Sequence, residues 1–79
     1  MKITTRDGRV FQGTPIQIVK AMQDIAFGVE DVTLDGYIDW MVDNARRFEG
    51  VELKSEGPST EERAIALVEG MLAHGLVSR

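Results

Sequence analysis

The chain has 79 residues, enough for one domain, and a chain of this length buries only about 60% of its unfolded surface, so a thin core is expected. Its hydrophobic content of 43% and charged content of 28% are typical of a globular rather than a disordered protein. The absence of cysteine excludes disulfides and thiolate metal sites and favours a cytoplasmic location. Neither a signal peptide nor a membrane span is predicted, because no apolar run approaches about 20 residues. The net charge of -4 disfavours sequence-independent binding to nucleic-acid phosphates.

Residues 1–13 predict a β-hairpin that turns at Asp7-Gly8. Two registers fit this turn. A two-residue turn places Ile3 and Val10 on one face and Phe11 on the other, whereas a three-residue turn with a left-handed Gly8 pairs Ile3 with Phe11. We favour the second register because it buries the larger side chain.

A first helix is predicted over residues 15–27. Thr14 is the expected N-cap, Pro15 occupies the first helical position and Gln17 completes a capping box, while Gly28 is the expected left-handed terminator. The apolar stripe of this helix consists of Ile18, Val19, Met22, Ile25 and Ala26. Phe27 lies off the stripe and is expected to cover a neighbouring loop.

Two further helices follow. The second begins after Thr33 and ends at Gly50, and the third begins at a Ser59–Glu62 capping box and ends at Gly75 in a Schellman motif. The second helix has the clearest apolar periodicity, at Leu34, Tyr37, Ile38, Met41, Val42, Ala45 and Phe48. The apolar face of the third helix comprises Ala64, Ile65, Leu67, Val68, Met71 and Leu72. Between these helices, residues 51–54 alternate in polarity and fit either a third short strand or an extended connection; we favour the strand.

The sequence therefore predicts one α+β domain over residues 1–79, in which a two- or three-stranded antiparallel sheet, the hairpin alone or the hairpin with a third strand at 51–54, packs against three α-helices. The expected core consists of Ile3, Phe11, Val19, Met22, Ile38, Met41, Val42, Val68 and Met71.

Enzymatic motifs are nearly absent from the chain. The only histidine, His74, lies at the end of the third predicted helix, where a cationic ring interacts favourably with the helix dipole, and no nucleophile stands beside it. The eight glycines are scattered at turns and helix ends rather than grouped in a phosphate-binding loop. We expect no catalytic activity, no cofactor and no small-molecule substrate.

Three carboxylates recur every fourth residue on the second predicted helix. We call Asp35, Asp39 and Asp43 the acidic ridge. Such a row is usually a solvated helix face. The functional alternative is an inhibitor that mimics a phosphate row and occupies a basic site on another protein. A metal site is disfavoured, because one straight helix face cannot converge six oxygen ligands.

A tryptophan lies at the edge of the apolar stripe on the same helix. We call Gly36, Trp40, Asn44 and Arg47 the Trp40 flank. Glycine costs about 1 kcal/mol in a helix interior, so Gly36 suggests that another element lies close to the backbone there. Either the third helix or the hairpin packs over Gly36, or another chain docks with Trp40 as its anchor, because Trp and Arg are common in interface hot spots.

Lys2, Arg6 and Arg9 form what we call the basic hairpin, which fits a nucleic-acid-associated regulator as an alternative function. Three cations without an aromatic or amide reader are weak support, and arginines also protect a sheet edge. The favoured expectation is a non-enzymatic protein-interaction or regulatory module, a homodimer or a subunit that docks through the Trp40 flank.

Overall fold

The N-terminal hairpin has the predicted three-residue turn. The computed structural model describes all residues, 1–79, and places strand β1 at Lys2–Thr5 and strand β2 at Val10–Gln12. Ile3 pairs with Phe11, and the Thr5 amide donates to the Arg9 carbonyl at 2.8 Å across the turn. Gly8 has a φ of 89°, a conformation that favours glycine at this position. The register predicted from side-chain size is confirmed.

Helix α1, Pro15–Ile25, begins with the predicted capping box. The Gln17 amide donates to Thr14 Oγ1 at 3.3 Å, and the Thr14 amide donates to Gln17 Oε1 at 2.9 Å. The helix ends two residues earlier than predicted, because the chain turns back over α1 and is held there by a buried glutamine. Gln23 Nε2 donates to the carbonyls of Val29 and Val32 at 3.0 and 2.8 Å.

The early end of α1 changes the environment of two apolar residues. Ile25, predicted to lie in the apolar stripe, is exposed, and Phe27 is 98% exposed. The expectation that Phe27 covers a neighbouring loop is therefore wrong.

Helix α2, Leu34–Asn44, is capped by the Thr33 hydroxyl and continues directly into a π-helical turn at Ala45–Glu49. Gly50 ends this turn with a φ of 66°, and the Val51 amide donates to the Ala45 carbonyl at 3.1 Å. A π-helical turn has more residues per turn than an α-helix, so side chains after Ala45 rotate off the apolar stripe. Phe48, predicted to face the core, is consequently exposed.

Residues 51–54 do not form the third strand that the alternation predicted; they form an extended connection. Leu53 and Ser55 are buried whereas Glu52 and Lys54 are exposed, so the alternating pattern is real. The buried side of this segment packs on a helix, since a Cβ built at Gly70 would lie 3.2 Å from Leu53 Cδ2. One-sided burial against a helix produces the same period of two as pairing in a sheet.

The third strand is instead β3, Val77–Ser78, at the end of the chain. It pairs antiparallel with β1 through Val77 and Thr5, so the strand order is β2-β1-β3. The position beside β1 is thus occupied by a segment that shows no alternation because it is only two residues long.

Helix α3, Thr60–Ala73, joins this strand through the predicted Schellman motif. The Leu76 amide donates to the Met71 carbonyl at 2.9 Å and the Gly75 amide donates to the Leu72 carbonyl at 3.2 Å. At the start of α3, Ser59 Oγ accepts from the Glu62 amide at 3.2 Å. The sharp reversal at Gly75, with a φ of 73°, returns the chain to the sheet.

The chain is an α+β fold in which three helices pack on one antiparallel sheet around one cluster of buried apolar residues. Six of the predicted core residues are buried, and Phe11, Met41 and Val42 are only partly buried at its edge. The cluster consists of Ile3, Ile18, Val19, Met22, Val29, Tyr37, Ile38, Ala45, Leu53, Ala64, Leu67, Val68, Met71 and Val77. None of the helices combines the length and the hydropathy that a bilayer span requires.

Candidate functional site

An apolar groove of about 610 Å³ opens where the hairpin turn, the end of α1, the middle of α2, the π-helical turn and the end of α3 meet. Nineteen residues line it and 13 of them are hydrophobic, so it is the most apolar concavity on the surface. Its buried lining includes Met22, Tyr37 and Met71, all members of the core cluster. The groove is therefore an opening onto the core, at a place where no helix or strand covers the core residues.

Three large apolar side chains at this groove remain exposed. Ile25 is 52% exposed, Trp40 is 40% exposed and Phe48 is 74% exposed. They come from three different elements, α1, α2 and the π-helical turn. We call these three residues together with the groove the groove face. Large exposed apolar side chains grouped around one groove mark an interaction site more often than scattered single residues do.

Trp40 is held in place by its own helix. Its indole stacks on the Tyr37 ring with a centroid distance of 5.7 Å and an interplanar angle of 22°. Asn44 Nδ2 donates to the Trp40 carbonyl at 2.9 Å. One side of the indole is therefore fixed and the rest stays open to solvent, an arrangement that limits the side-chain entropy lost when a partner covers it.

Tyr37 provides a polar group beside the groove. Burial raises the pKa of its phenol to about 12, so the hydroxyl stays protonated at neutral pH. No fully enclosed side-chain oxygen or nitrogen lacks a hydrogen-bond partner, and the raised pKa of Tyr37 has desolvation as its sole cause. Tyr37 thus combines a buried ring with a neutral phenol at the base of Trp40.

The structure divides the Trp40 flank. Trp40 and Asn44 line the groove, whereas Gly36 and Arg47 do not. One of the two expectations was that α3 or the hairpin packs over Gly36, and neither of them does. A Cβ there would lie 3.3 Å from Thr33 Oγ1 and 3.5 Å from Val32 Cβ, so the close neighbours of Gly36 are the residues that cap its own helix.

Arg47 makes two contacts near the rim instead. Its guanidinium lies 5.6 Å from the centroid of the Phe48 ring, and its Nη1 lies 3.5 Å from Asp43 Oδ2. The cation–π contact places the Arg47 guanidinium against the exposed Phe48 ring.

The acidic ridge is paired within the chain. Arg63 on α3 contacts both Asp35, at 3.0 Å, and Asp39. The hydrogen bond with Asp39 raises the pKa of the Arg63 guanidinium. Asp43 contacts Arg46 Nη2 at 2.7 Å and also Arg47. Because every carboxylate of the row contacts an arginine, with Asp35 and Asp39 sharing Arg63, the ridge offers a basic partner less unpaired charge than the sequence suggested.

The basic hairpin is also divided. Arg6 Nη1 lies 3.2 Å from Glu49 Oε2, and Arg9 Nε lies 3.1 Å from Asp7 Oδ2. The Thr5 hydroxyl donates to the Asp7 carboxylate and, together with Arg9, holds the pKa of that carboxyl below its usual range. Lys2 lies opposite Gln12, away from the turn. The two arginines at the turn therefore belong to the rim of the groove, each beside an acid.

Sequence reasoning missed two of the three exposed residues at the groove. Ile25 and Phe48 both fit the apolar stripe of a regular helix, so their spacing assigned them to the core. Both residues lie where the regular α-helix stops. Helix α1 ends at Ile25, and α2 is replaced by a π-helical turn from Ala45 onward.

No group of three or more histidine, aspartate or glutamate side chains is arranged to bind a metal ion. No known protein family matches the chain, and no curated protein or solved structure is significantly similar to it.

Proposed function

We propose that this chain is a non-enzymatic protein-interaction module that self-associates through the groove face. The observation that carries the proposal is the exposure of Ile25, Trp40 and Phe48 around an opening onto the core. Burying these side chains against a second molecule removes apolar surface from water at about 25 cal/mol per Å². A cytoplasmic homodimer is the form we propose, since a small chain without disulfides gains stability by completing its core with a partner.

The charges around the groove support association between copies. The whole chain carries a net charge of -4, which opposes the approach of two copies. At the rim, however, Arg6 and Arg9 alternate with Asp7 and Glu49, so the local charge is balanced. The groove face is therefore the part of the surface where a second copy meets apolar groups without like-charge repulsion.

Sedimentation of the purified chain over nanomolar to high micromolar concentrations tests the proposal. Trp40 is the only tryptophan, so its fluorescence emission reports on the groove face directly and is expected to shift to shorter wavelength as the mass doubles. The Trp40→Ala variant should weaken dimerisation by about 30-fold or more, the size expected of a hot-spot residue that occurs twice in a symmetric dimer.

The matched control is Phe27→Ala, which removes an aromatic ring that is exposed but does not line the groove. Its dimerisation should stay within about twofold of the unmodified chain, as for a surface position outside an interface. A chain that stays monomeric at the highest concentration, with unchanged Trp40 emission, would overturn the proposal. So would equal losses in the two variants.

A further inference from the structure

We infer that the Phe48 ring of each copy inserts into the groove of its partner, so that two reciprocal insertions hold the dimer. The inference rests on the proposed self-association and specifies which side chain fills the site. Its first support is the position of Phe48. The π-helical turn places the ring at the rim of the groove with most of its surface in water, and Arg47 contacts it from its own chain.

The composition of the groove suits an aromatic guest. Three of the four methionines in the chain, Met22, Met41 and Met71, line it. Methionine side chains adapt their shape to a guest, and their sulfur atoms make favourable contacts with aromatic rings. The volume of about 610 Å³ lies in the usual range of clefts that bind small molecules, so the groove has room for an aromatic ring.

The symmetry of the arrangement favours a second copy as the occupant. The projecting ring and the opening that would receive it lie on one face of one chain, because Phe48 itself lines the groove rim. Two such faces related by a two-fold axis each contribute one ring and one groove, and the resulting assembly closes at two copies.

The charges at the rim of the groove agree with this occupant. The balanced rim of two cations and two anions is complementary to its own copy.

The decisive experiment mixes two variants that are each defective in a different half of the contact. Phe48→Ala removes the ring and leaves the other 18 of the 19 residues that line the groove unchanged. Ile25→Glu keeps the ring and places a carboxylate at the half-exposed edge of the groove, where an inserting aromatic ring would desolvate it. Each variant alone loses both insertions and should dimerise about 100-fold more weakly than the unmodified chain.

An equimolar mixture restores one insertion, because the ring of the Ile25→Glu copy meets the open groove of the Phe48→Ala copy. Sedimentation and Trp40 emission should therefore show dimers that form about 10-fold more tightly in the mixture than in either variant alone. Circular dichroism establishes that each variant is folded. Should Ile25→Glu fail to fold, Ala26→Trp at the same edge of the groove replaces it as the blocking variant.

The outcomes separate the inference from the proposed function. An unmodified chain that is monomeric overturns both. An unmodified chain that dimerises, with Phe48→Ala unaffected or with no recovery in the mixture, overturns the reciprocal insertion and leaves self-association standing. Tighter dimerisation of the mixture than of either variant supports the reciprocal insertion.

Discussion

Arg63 is expected to contribute more to stability than a surface ion pair does, and Arg63→Met tests this. Its side chain is 20% exposed and connects three parts of the chain. Nε donates to the Ser55 carbonyl at 2.9 Å, Nη1 contacts Asp35 at 3.0 Å, and Nη2 contacts Asp39. Methionine keeps most of the apolar stem and removes the charge and the donors.

The expected loss follows from the exposure of each partner. The Asp35 and Asp39 side chains are 47% and 70% exposed, so each ion pair contributes about 0 to 1 kcal/mol. Ser55 is buried, and its carbonyl would lose its donor at a cost of about 1 to 2 kcal/mol. Arg63→Met should therefore lower the free energy of unfolding by about 2 kcal/mol, or the melting temperature by roughly 10 °C for a domain of this size.

Urea unfolding followed by circular dichroism measures the loss, and Asp39→Asn is the matched control. The control removes one exposed ion pair and should cost less than about 0.5 kcal/mol. The two effects also differ in salt, because screening weakens the ion pairs while leaving the hydrogen bond to the Ser55 carbonyl largely intact. Equal losses in the two variants, or a loss in Arg63→Met that vanishes at high salt, would refute the anchoring of the Ser55 carbonyl by Arg63.

Two further predictions concern buried residues. The free energy of unfolding should fall between about pH 10 and pH 12, because Tyr37 stays protonated in the folded chain, with a pKa of about 12, while the unfolded tyrosine ionises near its ordinary value of 10.0. Tyr37→Phe should remove about 1 to 3 kcal/mol of this fall; ultraviolet absorbance of the only tyrosine follows its ionisation, and a midpoint near 10 in the folded chain would contradict the burial. Leu53→Ala should cost about 2 to 4 kcal/mol by urea unfolding, as for a core leucine. The neighbouring Lys54→Ala should change stability by less than about 0.5 kcal/mol, and similar effects of the two would show that residues 51–54 do not pack on α3.

The candidate site was only partly predictable. Trp40 and Asn44 were identified because an aromatic residue at the edge of an apolar stripe is a recognisable feature, and both line the groove. Of the two interpretations of Gly36, packing by α3 or the hairpin is wrong, since the residues near it belong to its own helix cap, and docking of another chain there stays a prediction. Phe48 and Ile25 were assigned to the core, because periodicity assumes that a helix keeps its regular winding to its last residue.

The sequence by itself determined the local elements of this protein. The register at Gly8, the cap at Thr14 and the Schellman ending at Gly75 each depend on contacts between residues a few positions apart, and all three are observed as predicted. Each of these interactions joins residues within one turn of the chain, so the neighbouring residues suffice to predict it.

Only the tertiary structure decided which segment completes the sheet, which carboxylates are paired and which apolar side chains stay in water. Val77 rather than residues 51–54 lies beside β1, and Arg63 reaches Asp35 across 28 positions of the chain. Such contacts depend on how the helices dock, and a pattern of alternating polarity is the same whether its buried side meets a strand or a helix. The groove face also depends on the tertiary structure, because it forms where the three helices and the sheet leave a gap in the small core.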